Sequence, residues 1–159
     1  MCVALVTSLL DSLIASRNQQ EGVYCLCFDM REAKSNTDEW LQYLAFWLNS
    51  AYSHVKDKNK CAIILVGTHR DVVRSRAEHM QISDAIDATF AHCSFWKRVC
   101  TPLRCVHPNT LCFFPVDNTK AVDTTGVADV LSTINTLAEE QVRVREDRPL
   151  SWLKVLDEV

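Results

Sequence analysis

Cys61-Ala62-Ile63-Ile64-Leu65-Val66-Gly67-Thr68-His69-Arg70-Asp71 is an apolar run that stops abruptly at a glycine and continues in polar residues. It reads as a buried strand that delivers a carboxylate at its C-terminal edge. In an open α/β sheet, ligands bind in the crevice outside the carboxyl ends of the strands, so Asp71 stands where a base or sugar would be read. A carboxylate only accepts hydrogen bonds, and guanine offers two adjacent donors, N1–H and the 2-amino group, on one edge. Adenine would set a lone pair against it, and a site built on a hydrogen bond rejects such an analogue strongly. The competing reading is structural: Asp71 caps the helix that follows or closes a turn.

On either side of this run the chain alternates strands and helices. Val23-Tyr24-Cys25-Leu26-Cys27-Phe28 is a continuous apolar run that ends at Asp29, with Gly22 at its start. Over Thr37 to Tyr52, Leu41, Leu44, Ala45 and Leu48 recur at helical spacing, with Trp40, Tyr43 and Trp47 widening the stripe. Ser75-x-x-Glu78 has the form of a capping box, and Ile82, Ala85, Ile86 and Phe90 give the core face of a helix running toward residue 98. Pro102 and Pro108 bracket a loop. Leu111 to Val116 is a third apolar run, ending in Asp117-Asn118, and its Pro115 points to a sheet edge. Val127, Val130, Leu131, Ile134, Leu137 and Ala138 describe a last amphipathic helix after Thr124-Thr125-Gly126. The order predicts an α/β three-layer sandwich with a parallel sheet joined by right-handed crossovers. Asp29, Asp71 and Asp117 should then emerge on one edge.

The chain has 159 residues, and an apolar fraction of 48% is enough for one real core. A net charge of −3 with scattered Lys and Arg argues against a nucleic-acid surface. No apolar run reaches the ~18 residues a membrane span needs. Residues 1–21 read as an amphipathic leader helix, Val3, Val6, Leu10, Leu13 and Ile14 on one side, without the basic start of a signal peptide. The eight cysteines mostly hold positions of small core residues, which fits reduced thiols and a cytoplasmic location. His92, Cys93, Cys100, Cys105 and His107 cluster around the two prolines but lack the paired C-x₂-C spacing of structural zinc, so no metal site is expected.

Three strand-end motifs now stand in order: Cys25-Leu26-Cys27-Phe28-Asp29-Met30-Arg31-Glu32, Ile64-Leu65-Val66-Gly67-Thr68-His69-Arg70-Asp71 and Phe113-Phe114-Pro115-Val116-Asp117-Asn118. Together they resemble the last three strands of the Roc (Ras of complex proteins) domain, the Ras-like GTPase module of the Roco family. Thr-His-x-Asp in place of Asn-Lys-x-Asp is a feature of that branch. Pro149-Leu150-Ser151-Trp152-Leu153-Lys154 resembles the opening of the COR domain that follows Roc. The resemblance implies a partial P-loop GTPase fold over residues 22–142, with residues 143–159 as linker and start of a COR-like segment. It makes Asp71 the reader of guanine, sets His69 against the purine or ribose, and has Thr68 brace the loop. The backbone N–H near Asn118 would meet the guanine O6. The plainer alternatives are a surface histidine at His69, a turn residue at Thr68 and a cap at Asn118.

The glycines are Gly22, Gly67 and Gly126, so the chain contains no G-x-x-x-x-G-K-[ST] loop to cradle phosphates and hold Mg²⁺. The expectation is the second half of a Roc-like domain, a base-recognition half of a GTP/GDP switch with no catalytic residues of its own. Mg²⁺ would enter only with the missing half. Charge-assisted hydrogen bonds from Asp71 contribute about 1.5–3 kcal/mol and one backbone bond about 1. Their sum lies near the ~4 kcal/mol of a millimolar complex, so GTP or GDP should bind weakly or not at all. The alternative is a nucleotide-free interaction domain of a signalling scaffold. Either reading implies protein partners, a COR domain or a second copy among them.

Overall fold

The computed structural model describes residues 22–53, 61–100, 110–119 and 126–140. The leader (1–21) and the segment 143–159 lie outside the described residues. Strand β1 (Gly22–Asp29) is followed by the short helix α1 (Met30–Ser35) and the long helix α2 (Thr37–Ser53). Strand β2 (Cys61–Thr68) leads into α3 (Arg76–Phe90), a 3₁₀ turn (Ser94–Arg98) and β3 (Val99–Cys100). Strand β4 (Phe114–Pro115) and helix α4 (Val127–Glu140) complete the order.

The sheet is small and wholly parallel. β1 pairs with β2 along its whole length, from Gly22 opposite Cys61 to Asp29 opposite Thr68. The other flank of β2 is shared. β3 lies against its first half, Ile63 opposite Val99, and β4 against its second, Val66 opposite Phe114 and Gly67 opposite Pro115. A single third strand over 111–116 was expected. Instead two short pieces, Val99–Cys100 and Phe114–Pro115, occupy one lane beside β2. Pro115 is tolerated because, among the described residues, β4 pairs on one side only.

Both faces of the sheet are covered, which is why β1 and β2 are apolar runs rather than alternating ones. Leu26, Phe28, Ile63 and Leu65 pack under α1, α2 and α3, with Phe113 at the centre of that core. Ile64, Val66, Phe114 and Val116 pack under Val130 of α4, with Cys25 and Cys27 partly buried beside them. Helix α4 follows the expected stripe at Val127, Val130, Ile134 and Leu137, but Leu131 is largely exposed. Helix α3 ends earlier than the apolar spacing predicts. The Cys93 N–H closes on Phe90 O and the chain tightens into the 3₁₀ turn, which still buries Phe95. Of the expected capping box, Ser75 takes the N-cap position without a side-chain bond, while its backbone N–H is held by Glu78. Among the described residues, no helix is long and apolar enough to cross a membrane.

Candidate functional site

Parallel pairing sends the ends of β1, β2 and β4 to one edge, and the loops there are tied together by backbone bonds. Val116 N donates to Gly67 O at 2.7 Å, and Arg70 N to Val116 O at 3.2 Å. The chain can turn at once after β2 because His69 adopts a left-handed conformation, φ 64°, a region that histidine enters more readily than branched residues do. His69 O then accepts from the N–H groups of Val72 and Val73, 3.0 Å each, which closes a compact turn around Asp71. Buried His79 of α3 fixes the far end, its Nε2 lying 2.7 Å from Val73 O. Two glycines let these pieces approach. A Cβ on Gly67 would lie 2.8 Å from Met30 Cγ and from Phe113 Cε2, and one on Gly126, at φ +80°, would lie 2.6 Å from Pro115 O.

Asp71 sits half-buried inside the turn, and Arg74 Nε bonds its backbone carbonyl. Among the described residues its carboxylate accepts no hydrogen bond and forms no ion pair, although Arg31 lies near enough to feel its charge. The helix-cap alternative therefore fails: the N-cap of α3 is Ser75, and the Asp71 side chain closes nothing. Thr68 spans the sheet, its hydroxyl donating to Phe28 O at 3.0 Å. His69 is anchored at Nδ1, which lies 3.0 Å from Thr68 Oγ1 and 3.3 Å from Asp29 Oδ1.

At the end of β4 the capping residue is Asp117, not Asn118. Asp117 is buried and its Oδ1 accepts from the N–H and hydroxyl of Thr119, 2.9 and 2.6 Å. Asn118 is exposed in the turn, and its own N–H bonds nothing among the described residues.

Asp29 emerges on this edge as expected, and Arg31, which the sequence did not place in the site, joins it. Asp29 is the N-cap of α1, accepting from Arg31 N at 2.8 Å. The Arg31 guanidinium returns to the same carboxylate, Nη2 at 2.7 Å from Oδ2 and Nε at 3.1 Å from both oxygens. Burial pushes the Asp29 carboxyl up, but the side-chain and backbone hydrogen bonds of Arg31, with the charges of His69 and Arg31, hold it below the ordinary carboxylate range. The signal was present in Asp29-x-Arg31 at a strand end, a cap followed by a base in the first turn. His79 carried no such signal, since an isolated histidine on a core face shows its partner only in three dimensions.

The described residues contain no group of three or more His, Cys, Asp or Glu side chains able to hold a metal ion. The edge carries the Asp71 carboxylate, an anchored imidazole and an Asn118 N–H without a bond among the described residues, all at parallel strand ends. No family model, curated protein or solved structure matches the chain.

Proposed function

We propose that this chain is the base-reading half of a Roc-like GTP-binding switch module within a P-loop GTPase fold. The observation that carries the reading is the Asp71 carboxylate, half-buried at the ligand edge of β2 and bonded to nothing among the described residues. A half-buried carboxylate without a protein donor leaves its acceptors open, and guanine's N1–H and 2-amino group match them, each charge-assisted hydrogen bond contributing about 1.5–3 kcal/mol. The unbonded N–H of Asn118 supplies a donor of the kind the guanine O6 needs. Thr68 holds the end of β2 to β1 across the sheet, so the reading loop rests on a rigid element.

Catalysis and phosphate binding are not within these residues. The chain lacks the glycine-lysine loop that cradles phosphates, so a complementary half must supply it and the Mg²⁺ that goes with it. Titration of the full chain with fluorescent GDP at several Mg²⁺ concentrations tests this reading. Binding near millimolar and indifferent to Mg²⁺ is expected; micromolar, Mg²⁺-dependent binding would place the nucleotide on other residues.

A second reading, an interaction domain, is favoured by one surface. Tyr52 of α2 packs on Phe95, which turns that flank toward the 3₁₀ segment. At about 100° per residue Tyr43 and Trp47 fall on the opposite flank of the helix. Trp47 stacks edge-on with Tyr43 and Phe46, its indole N–H is buried without a partner among the described residues, and Phe46 is 61% exposed. On the first reading the complementary half covers this flank; on the second another protein does.

A further inference from the structure

The neighbours of His69 Nδ1 decide which ring nitrogen carries the proton. Thr68 has one hydroxyl proton and gives it to Phe28 O, so toward the imidazole 3.0 Å away Thr68 Oγ1 only accepts. The ionised Asp29 carboxylate, 3.3 Å from the same nitrogen, also only accepts. Arg31 holds that carboxylate in place through both its oxygens. The Asp29 side chain is 7% exposed and that of His69 34%, so the buried partner orients a ring whose other end reaches solvent.

We infer that Asp29 is a positioning residue which, with Thr68, fixes His69 as the Nδ1–H tautomer, so that Nε2 is a fixed acceptor for a ribose hydroxyl of a bound guanosine nucleotide. The tautomer follows from the hydrogen-bond geometry; the ligand assignment rests on the base reading by Asp71. If guanine spends its N1–H and 2-amino donors on Asp71, the ribose hydroxyls are the main donors left for a second acceptor. A lysine at position 69 could only donate, so His69 reverses the polarity of the contact.

Imidazole ¹⁵N spectra of the full chain at mildly alkaline pH, where histidines are neutral, test the tautomer. His69, assigned by loss of its signals in His69→Gln, should show a protonated Nδ1 and an unprotonated Nε2. His79 is an internal control of opposite sense, because its Nε2 donates to Val73 O. Thr68→Val combined with Asp29→Ala should release His69 to a mixture, while a well-dispersed amide spectrum and an unchanged His79 show that the variant has folded. A protonated Nε2 on His69 in the wild type overturns the inference.

The ligand arm compares guanosine with 2′,3′-dideoxyguanosine. Guanosine should move the His69 Nε2 resonance and bind about fivefold more tightly, the worth of one neutral hydrogen bond. Equal binding with equal movement of Nε2 overturns the ribose assignment. Absence of any response to both nucleosides removes the base reading and the ribose contact together, and the Nδ1–H pattern of the free protein then shows that the failure lies with the ligand and not with the geometry.

Discussion

Asp29 does two jobs with one carboxylate, capping α1 and pairing with Arg31, and each is measurable. Asp29→Ala should cost about 1–2 kcal/mol in urea unfolding, the usual worth of an N-cap. The pH dependence has a definite sign. A carboxyl held lower in the folded than in the unfolded chain stabilises fully above its ordinary value of 3.8, and that contribution is lost as pH falls through the lower folded value. The stability gap between wild type and Asp29→Asn should therefore be widest near neutral pH and close in acid; a gap constant with pH would contradict the pairing. Cysteines give a second residue-level test. The Cys25 thiol donates to Cys27, lowering Cys27 to about 7 against the opposing effect of burial, while Cys25 is driven up. Burial raises Cys112 to about 12. Near neutral pH iodoacetamide should modify Cys27 well before Cys112, and Cys25→Ala should slow that reaction. Equal rates at the two sites would contradict the hydrogen-bonded pair.

At the scale of elements, the ties between strand ends make the site sensitive to a single methyl group. Gly67→Ala sets its Cβ against the fully buried Phe113 ring and Met30, 2.8 Å from each, an overpacking expected to cost about 1–3 kcal/mol by thermal or urea unfolding. A neutral substitution would mean that β2 can shift away from the core. Strands 23–28 and 61–66 were legible because two covered faces leave long apolar runs, and α2 and α4 because their stripes keep one period. The split third lane was not. Val99–Cys100 is too short to show a pattern, and the buried residues Leu111 to Phe113 look like strand in sequence although only Phe114–Pro115 pairs. The same ambiguity hid the end of α3, since Phe95 is buried from a 3₁₀ turn as readily as from a helix. Thr68, His69, Asp71 and Asn118 could be read from one motif and its neighbour. The edge position of Asp29 was legible too, but its partners Arg31 and His69, and the role of His79, needed the register of β1 on β2 and the packing of α3.

For the whole molecule, β1 pairs on one side only among the described residues, with β2. On the proposed reading, a complementary half carrying a phosphate loop would extend the sheet on the free side of β1 and bring charge-assisted contacts that the Asp71 edge alone lacks. The base edge itself is testable without that half. ¹H–¹⁵N spectra of the full chain and of Asp71→Asn, titrated with GDP and with ADP, read it directly at millimolar ligand. GDP should move the amides of the 69–73 turn and of Asn118 in the wild type, ADP should do so at least severalfold more weakly, and Asp71→Asn should erase the difference while the spectrum stays folded. Preference for GDP that survives Asp71→Asn, or equal responses to both nucleotides in the wild type, would contradict base reading by Asp71.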